Sequence, residues 1–197
     1  MGELSGIFSR FVPHRRQYKM QRINFNEKLK MLEEGEVAFV VDFQERLQLK
    51  DQVQSQHWNQ EATTIFPCPI YFRWGGRVWS YCFMILSDDM EQDNAWVQYV
   101  MTRLMKKDVP ELLRTLGAPP MLWVTIWTDN CAKQLKCKYH WGWVADAGIY
   151  VLDGHGESTG QKLHIEHHYF GPKHGKNPSD EAGAGAKSFA TMMVKTR

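Results

Sequence analysis

The chain has 197 residues, 43% hydrophobic and 13% aromatic, enough for one substantial core and a small appendage. Its 24 Lys and Arg against 22 Asp and Glu leave a formal net charge of +2, which excludes recognition of a polyanion by a global field and puts any such role on local clusters. Cys68, Cys82, Cys131 and Cys137 are too sparse for a disulfide scaffold and contain no CxxC pair of a zinc module, so a reducing compartment is expected.

No apolar run reaches transmembrane length, and the N-terminal segment lacks the apolar core of a signal peptide, so a soluble intracellular protein is expected. The opening Met-Gly has Gly6 where a myristoylation signal wants Ser or Thr.

Residues 1–20 are basic (Arg10, His14, Arg15, Arg16, Lys19) with little periodicity and read as an arm, followed by a short polar helix from Arg22 to Glu34 with Gly35 as C-cap. Val37 to Val41 is a continuous apolar run, the pattern of a strand covered on both faces, and Asp42 follows it. Ala62–Arg73 and Val78–Leu86 form a hairpin across Trp74-Gly75-Gly76-Arg77. Asn94 to Met105 has helical apolar spacing, Asp108-Val-Pro-Glu111 restarts the helix, and Gly117 with Pro119-Pro120 stops it.

Met121 to Trp127 is the fourth strand and runs into Thr128-Asp129. A helix is expected from Cys131 to Ala147, closed by Gly148, then a turn-rich loop around Asp153 to Gly160 and a fifth strand from Leu163 to Phe170. Ser179 is positioned to N-cap a final helix reaching about Lys195.

The resulting order, β-β-β-α-β-α-β-α, is that of the ribonuclease H fold, an α/β architecture with a five-stranded mixed sheet flanked by helices. Residues 1–35 form the arm and short helix, and residues 36–197 the core.

In such a sheet reactive groups gather beyond the carboxyl ends of the parallel strands. Asp42 and Asp129 both follow apolar strand cores, and Asp180 sits at a helix start. Carboxylates brought together repel unless a cation separates them, and hard oxygen donors favour Mg²⁺ or Mn²⁺. Two ions about 3.5–4 Å apart suit phosphoryl transfer. Lys173, His174 and Lys176, just before Asp180, are placed to hold a phosphate or protonate a leaving oxygen, and Lys133, Lys136 and Lys138 to track a backbone.

Three blocks carry a resemblance: Val40-Val-Asp42-Phe-Gln-Glu45 with Asp51 to Gln60 and Ser87-Asp88-Asp89; Thr128 to Cys137; and Gly171 to Asp180. From Val37 onward the chain resembles transposon-derived proteins whose transposase-like domain belongs to the ribonuclease H superfamily. The resemblance implies a DD(E/D) nuclease and strand-transfer core acting on DNA in the nucleus, with Asp42, Asp129 and Asp180 as metal ligands. It adds Glu181 as a rival third ligand and Glu45 as a secondary candidate. A homo-oligomer, or a DNA-binding domain in a longer parent chain, fits the same resemblance.

Simpler readings stand beside these. Strand-end aspartates cap turns, and a first-turn acid complements a helix dipole. Asp88 suits either the acidic cluster or a solvated loop. His57 and Trp58 suit nucleic-acid contact or a surface anchor. Cys131, Cys137 and His140 read as packing, the alternative being a zinc site that borrows His164 or His168. A catalytically inactive, domesticated DNA- or protein-binding module is the competing function, and a ribonuclease or junction nuclease on the same fold is a third.

Overall fold

The computed structural model describes residues 2–42, 47–48, 62–88, 93–128, 136–170 and 178–195. Strand β1 (Glu36–Val41) is buried along its whole length, as its unbroken apolar run demands. It pairs antiparallel with β3 (Ala62–Trp74) on one side and parallel with β5 (Trp123–Thr128) on the other. A two-residue strand β2 (Leu47–Gln48) pairs with the start of β3. Strand β4 (Arg77–Ser87) folds back on β3 through Gly75 and Gly76, both at positive φ, the conformation a two-residue hairpin turn requires.

Beyond β5 lies β8 (His164–Tyr169), parallel to it. The protein is therefore α/β, with a mixed sheet in the order β4-β3-β1-β5-β8. Side chains alternate across the sheet. Val37, Phe39 and Val41 pack on one face against α2 (Asn94–Arg103) and α3 (Val109–Leu116), through Val97, Met101 and Leu113. On the other face Val40, Trp127 and Phe170 pack against Phe25 of α1 (Gly2–Met31). The Phe25 ring meets those of Trp127 and Phe170 edge-on at 5.2 and 5.4 Å.

Several elements differ from the sequence-based expectation. The stretch expected to be an arm is helical, and α1 ends at Met31 rather than Glu34, because Arg73 of β3 donates to the carbonyls of Lys30 and Leu32 and closes the last turn. Gly35 is then a turn residue at φ +86, not a C-cap. Asp108 does not restart a helix: α2 continues into α3 through a π turn (Leu104–Asp108), and Asp108 pairs with Arg103 at 3.2 Å. The N-cap that does form is Asp93, which accepts from the Trp96 amide at 2.8 Å.

The expected loop around Asp153 closes a hairpin between β6 (Tyr150–Leu152) and β7 (Ser158–Lys162), with the Asp153 carboxylate accepting from the amides of His155 and Glu157. Of the expected 131–147 helix, residues 136–147 are described, and only α4 (Lys138–Ala145) among them is helical. Helix α5 (Pro178–Lys195) begins before Ser179, whose hydroxyl is therefore not an N-cap. Among the described residues no helix is long and apolar enough to cross a membrane.

Candidate metal centre at the carboxyl end of the sheet

Strands β1 and β5 run parallel with Val41 opposite Thr128, so their carboxyl ends are level. Asp42 is the next residue after Val41 and is half-buried. Asp129 is the next residue after Thr128 and lies outside the described residues.

Helix α5 delivers the third acid. Ser179 is fully buried, and its Oγ donates to the carbonyl of Val40 at 2.9 Å, which ties the first turn of α5 to the carboxyl end of β1. Asp180 follows it and is half-buried, whereas Glu181 is exposed. Burial first, and then the Glu181 carboxylate, raise the Tyr71 phenol, which places Glu181 within electrostatic reach of β3. Two of the expected acids, Asp42 and Asp180, thus adjoin one strand end.

Asp88 is not brought there. It is exposed, follows Ser87 of β4, and stands two strands from β1. The pairing registers put it about four residues further along the sheet than Asp42, roughly 13 Å at the usual rise of a strand.

Of the expected cations, Lys136 and Lys138 are described, and both are exposed. The Lys136 ammonium lies 5.6 Å from the ring centre of Tyr169, the residue of β8 that pairs with Thr128, so it flanks the same pole. Lys138 covers its neighbour Tyr139 at 5.0 Å. Glu45, His57, Trp58, Lys133, Lys173, His174 and Lys176 lie outside the described residues.

Behind the strand ends runs a chain of polar groups that the sequence did not announce. Thr128 Oγ1 is 2.8 Å from His167 Nε2, and His167 Nδ1 is 2.8 Å from His140 Nε2. Burial lowers His140 to about 4; burial, followed by the neighbouring His140 and His168, lowers His167 to about 3. Both rings are neutral at pH 7.

Of the zinc alternative, Cys131 lies outside the described residues, and the structure does not bring His164 or His168 to His140. His140 pairs with His167, while His164 and His168 sit on the opposite face of β8 beside Glu166, at 3.6 and 3.4 Å. Among the described residues no three His, Cys, Asp or Glu side chains group as a metal cage. The run His-Ile-Glu-His-His was the available signal, and only strand alternation identifies which histidine points inward.

Residues 21–197 match the family described as a domain of unknown function, DUF8701. The chain belongs to that family. No curated protein and no solved structure matches it. The DUF8701 match begins within α1 and takes in Asp42, Asp129 and Asp180 together with the whole sheet. Chemically, the carboxylates of Asp42 and Asp180 in this DUF8701 domain are hard oxygen donors, suited to Mg²⁺ or Mn²⁺ rather than to a thiophilic ion.

Proposed function

We propose that the chain is a metal-dependent DNA nuclease or strand-transfer core of transposase descent, with a ribonuclease H-like fold. The sheet order, with β1 central, an antiparallel hairpin on one side and two parallel strands on the other, supports that fold. The single observation that carries the functional reading is the Ser179–Val40 hydrogen bond, because it brings a helix-borne acid to the strand end that carries Asp42.

In this reading Asp42, Asp129 and Asp180 hold the divalent ions. Bound metal would supply charge neutralisation at the phosphate and a water ionised near neutral pH. The protein contributes positioning: parallel pairing holds Val41 level with Thr128, the residues before Asp42 and Asp129 in sequence, and a buried helix start carries Asp180. Lys136, beside Tyr169, is placed to attract the phosphate backbone.

The test is calorimetric titration of Mn²⁺ into wild type, Asp42→Asn, Asp129→Asn and Asp180→Asn, followed by nicking of labelled DNA by the same proteins. Wild-type binding and nicking, both lost in each variant, are expected. A wild type that binds no Mn²⁺ would overturn the enzyme reading and leave the fold as a binding module.

A further inference from the structure

The connection from α1 through Gly35 makes this helix antiparallel to β1. Three contacts fix its course: the Lys28 ammonium pairs with Glu36 at the amino end of β1, Arg73 holds the carbonyls of Lys30 and Leu32, and Phe25 packs among Val40, Trp127 and Phe170 at the carboxyl end. Residues before Phe25 therefore extend past the end of the sheet where Asp42 and Asp180 lie. At about 1.5 Å per residue, Arg22 stands roughly 5 Å and Arg15 roughly 15 Å beyond Phe25.

That projecting stretch is unusually charged. From Leu4 to Asn26 the sequence has Arg10, Arg15, Arg16, Lys19 and Arg22 and no acidic residue, whereas acids return at Glu27, Glu33, Glu34 and Glu36. Arg15, Lys19 and Arg22 recur at i, i+4 and i+7, which puts them on one stripe of the helix, and all are exposed. They follow Pro13, the position most able to interrupt the helix. The stripe is about 10 Å long, the axial length over which one strand of a duplex carries roughly three phosphates.

We infer that the Arg15–Lys19–Arg22 stripe of α1 grips the phosphate backbone of duplex DNA as it leaves the acidic pole. The inference rests on the function proposed above and adds a specific surface to it. Lys136 lies at the same pole beside Tyr169, so cations stand at two points around the acids and a bound duplex has an electrostatic track between them. The grip reads charge and not sequence, so it orients the duplex without selecting a site.

The test measures duplex affinity by fluorescence anisotropy in EDTA, which prevents cleavage, across a series of salt concentrations. Wild type is compared with Arg15→Gln/Lys19→Gln and with Lys106→Gln/Lys107→Gln, a control pair on the π turn against the other face of the sheet. Each lost phosphate contact lowers the slope of log affinity against log salt by about 0.9, so the α1 variant should lose about 1.8 and the control nothing. Equal losses in both variants would overturn the inference by reducing it to overall charge. A wild-type slope in the α1 variant would overturn it while leaving the proposed function intact. A wild type that binds no duplex would remove DNA as the partner, and Mn²⁺ calorimetry would then report on the acidic site independently.

Discussion

Ser179 of α5 donates to the carbonyl of Val40 in β1 at 2.9 Å, joining two residues 139 positions apart. The hydroxyl is fully buried, so its removal forfeits a hydrogen bond worth about 1–2 kcal/mol. Ser179→Ala should lower the melting temperature by roughly 2–4 °C for each kcal/mol lost in a chain of this size. It should also weaken Mn²⁺ binding, because Asp180 loses its anchor. An unchanged melt with unchanged metal affinity would show that the bond positions nothing.

Arg73 is the second long-range fastening. Its guanidinium reaches the carbonyls of Lys30 and Leu32, which no residue within α1 can satisfy, and that of Gly76 at 3.2 Å. A lysine carries the charge but not the fork, so Arg73→Lys should lose most of the effect, about 1.5–3 kcal/mol. Hydrogen exchange should quicken selectively in the last turn of α1. Protection there equal to wild type would assign the cap to other groups.

Much of this architecture was legible because burial writes itself into composition. The unbroken run Val37–Val41 could only be a strand covered on both faces, and Gly75-Gly76 could only be a tight turn. What was not legible depended on distant partners. The end of α1 is set by Arg73, which is 43 residues from Lys30, and Ser179 bonds to β1 instead of capping its own helix. Strand β7, Ser-Thr-Gly-Gln-Lys, has no apolar alternation, so only its pairing with β6 reveals it. Asp42 and Asp180 were found as candidates because each adjoins an element end; Asp88 met the same local criterion, and the strand registers separate it from them.

Gly35 offers a test of the turn between α1 and β1. Its φ is +86, and an added Cβ would lie 3.0 Å from Leu122 Cδ1 and 3.3 Å from the Pro120 carbonyl. The left-handed conformation alone costs a side chain about 1–2 kcal/mol, and the contact with Pro120 backbone adds to it. Gly35→Ala should therefore shift the denaturation midpoint downward by at least that amount, with an unchanged m value. Wild-type stability in this variant would mean that the turn relaxes freely.

The His140–His167 pair makes stability depend on acidity. In the folded protein burial holds His140 near 4, and burial with its neighbours holds His167 near 3, against an ordinary value of 6.5. Below pH 6.5 the unfolded chain takes up protons that the folded chain refuses, so acid favours unfolding. The contribution is complete above about pH 6.5 and is lost as the pH falls through the folded values near 4 and 3. The melting temperature should therefore fall steadily from pH 7 to pH 4. His167→Gln removes one titrating ring while keeping a polar group next to Thr128, and should flatten that dependence. Parallel curves for the two proteins would place the acid sensitivity elsewhere. Because Thr128 closes β5 just before Asp129, loss of the chain in acid should loosen the carboxyl end of the sheet first, visible as early exchange of the Thr128 amide relative to Val124.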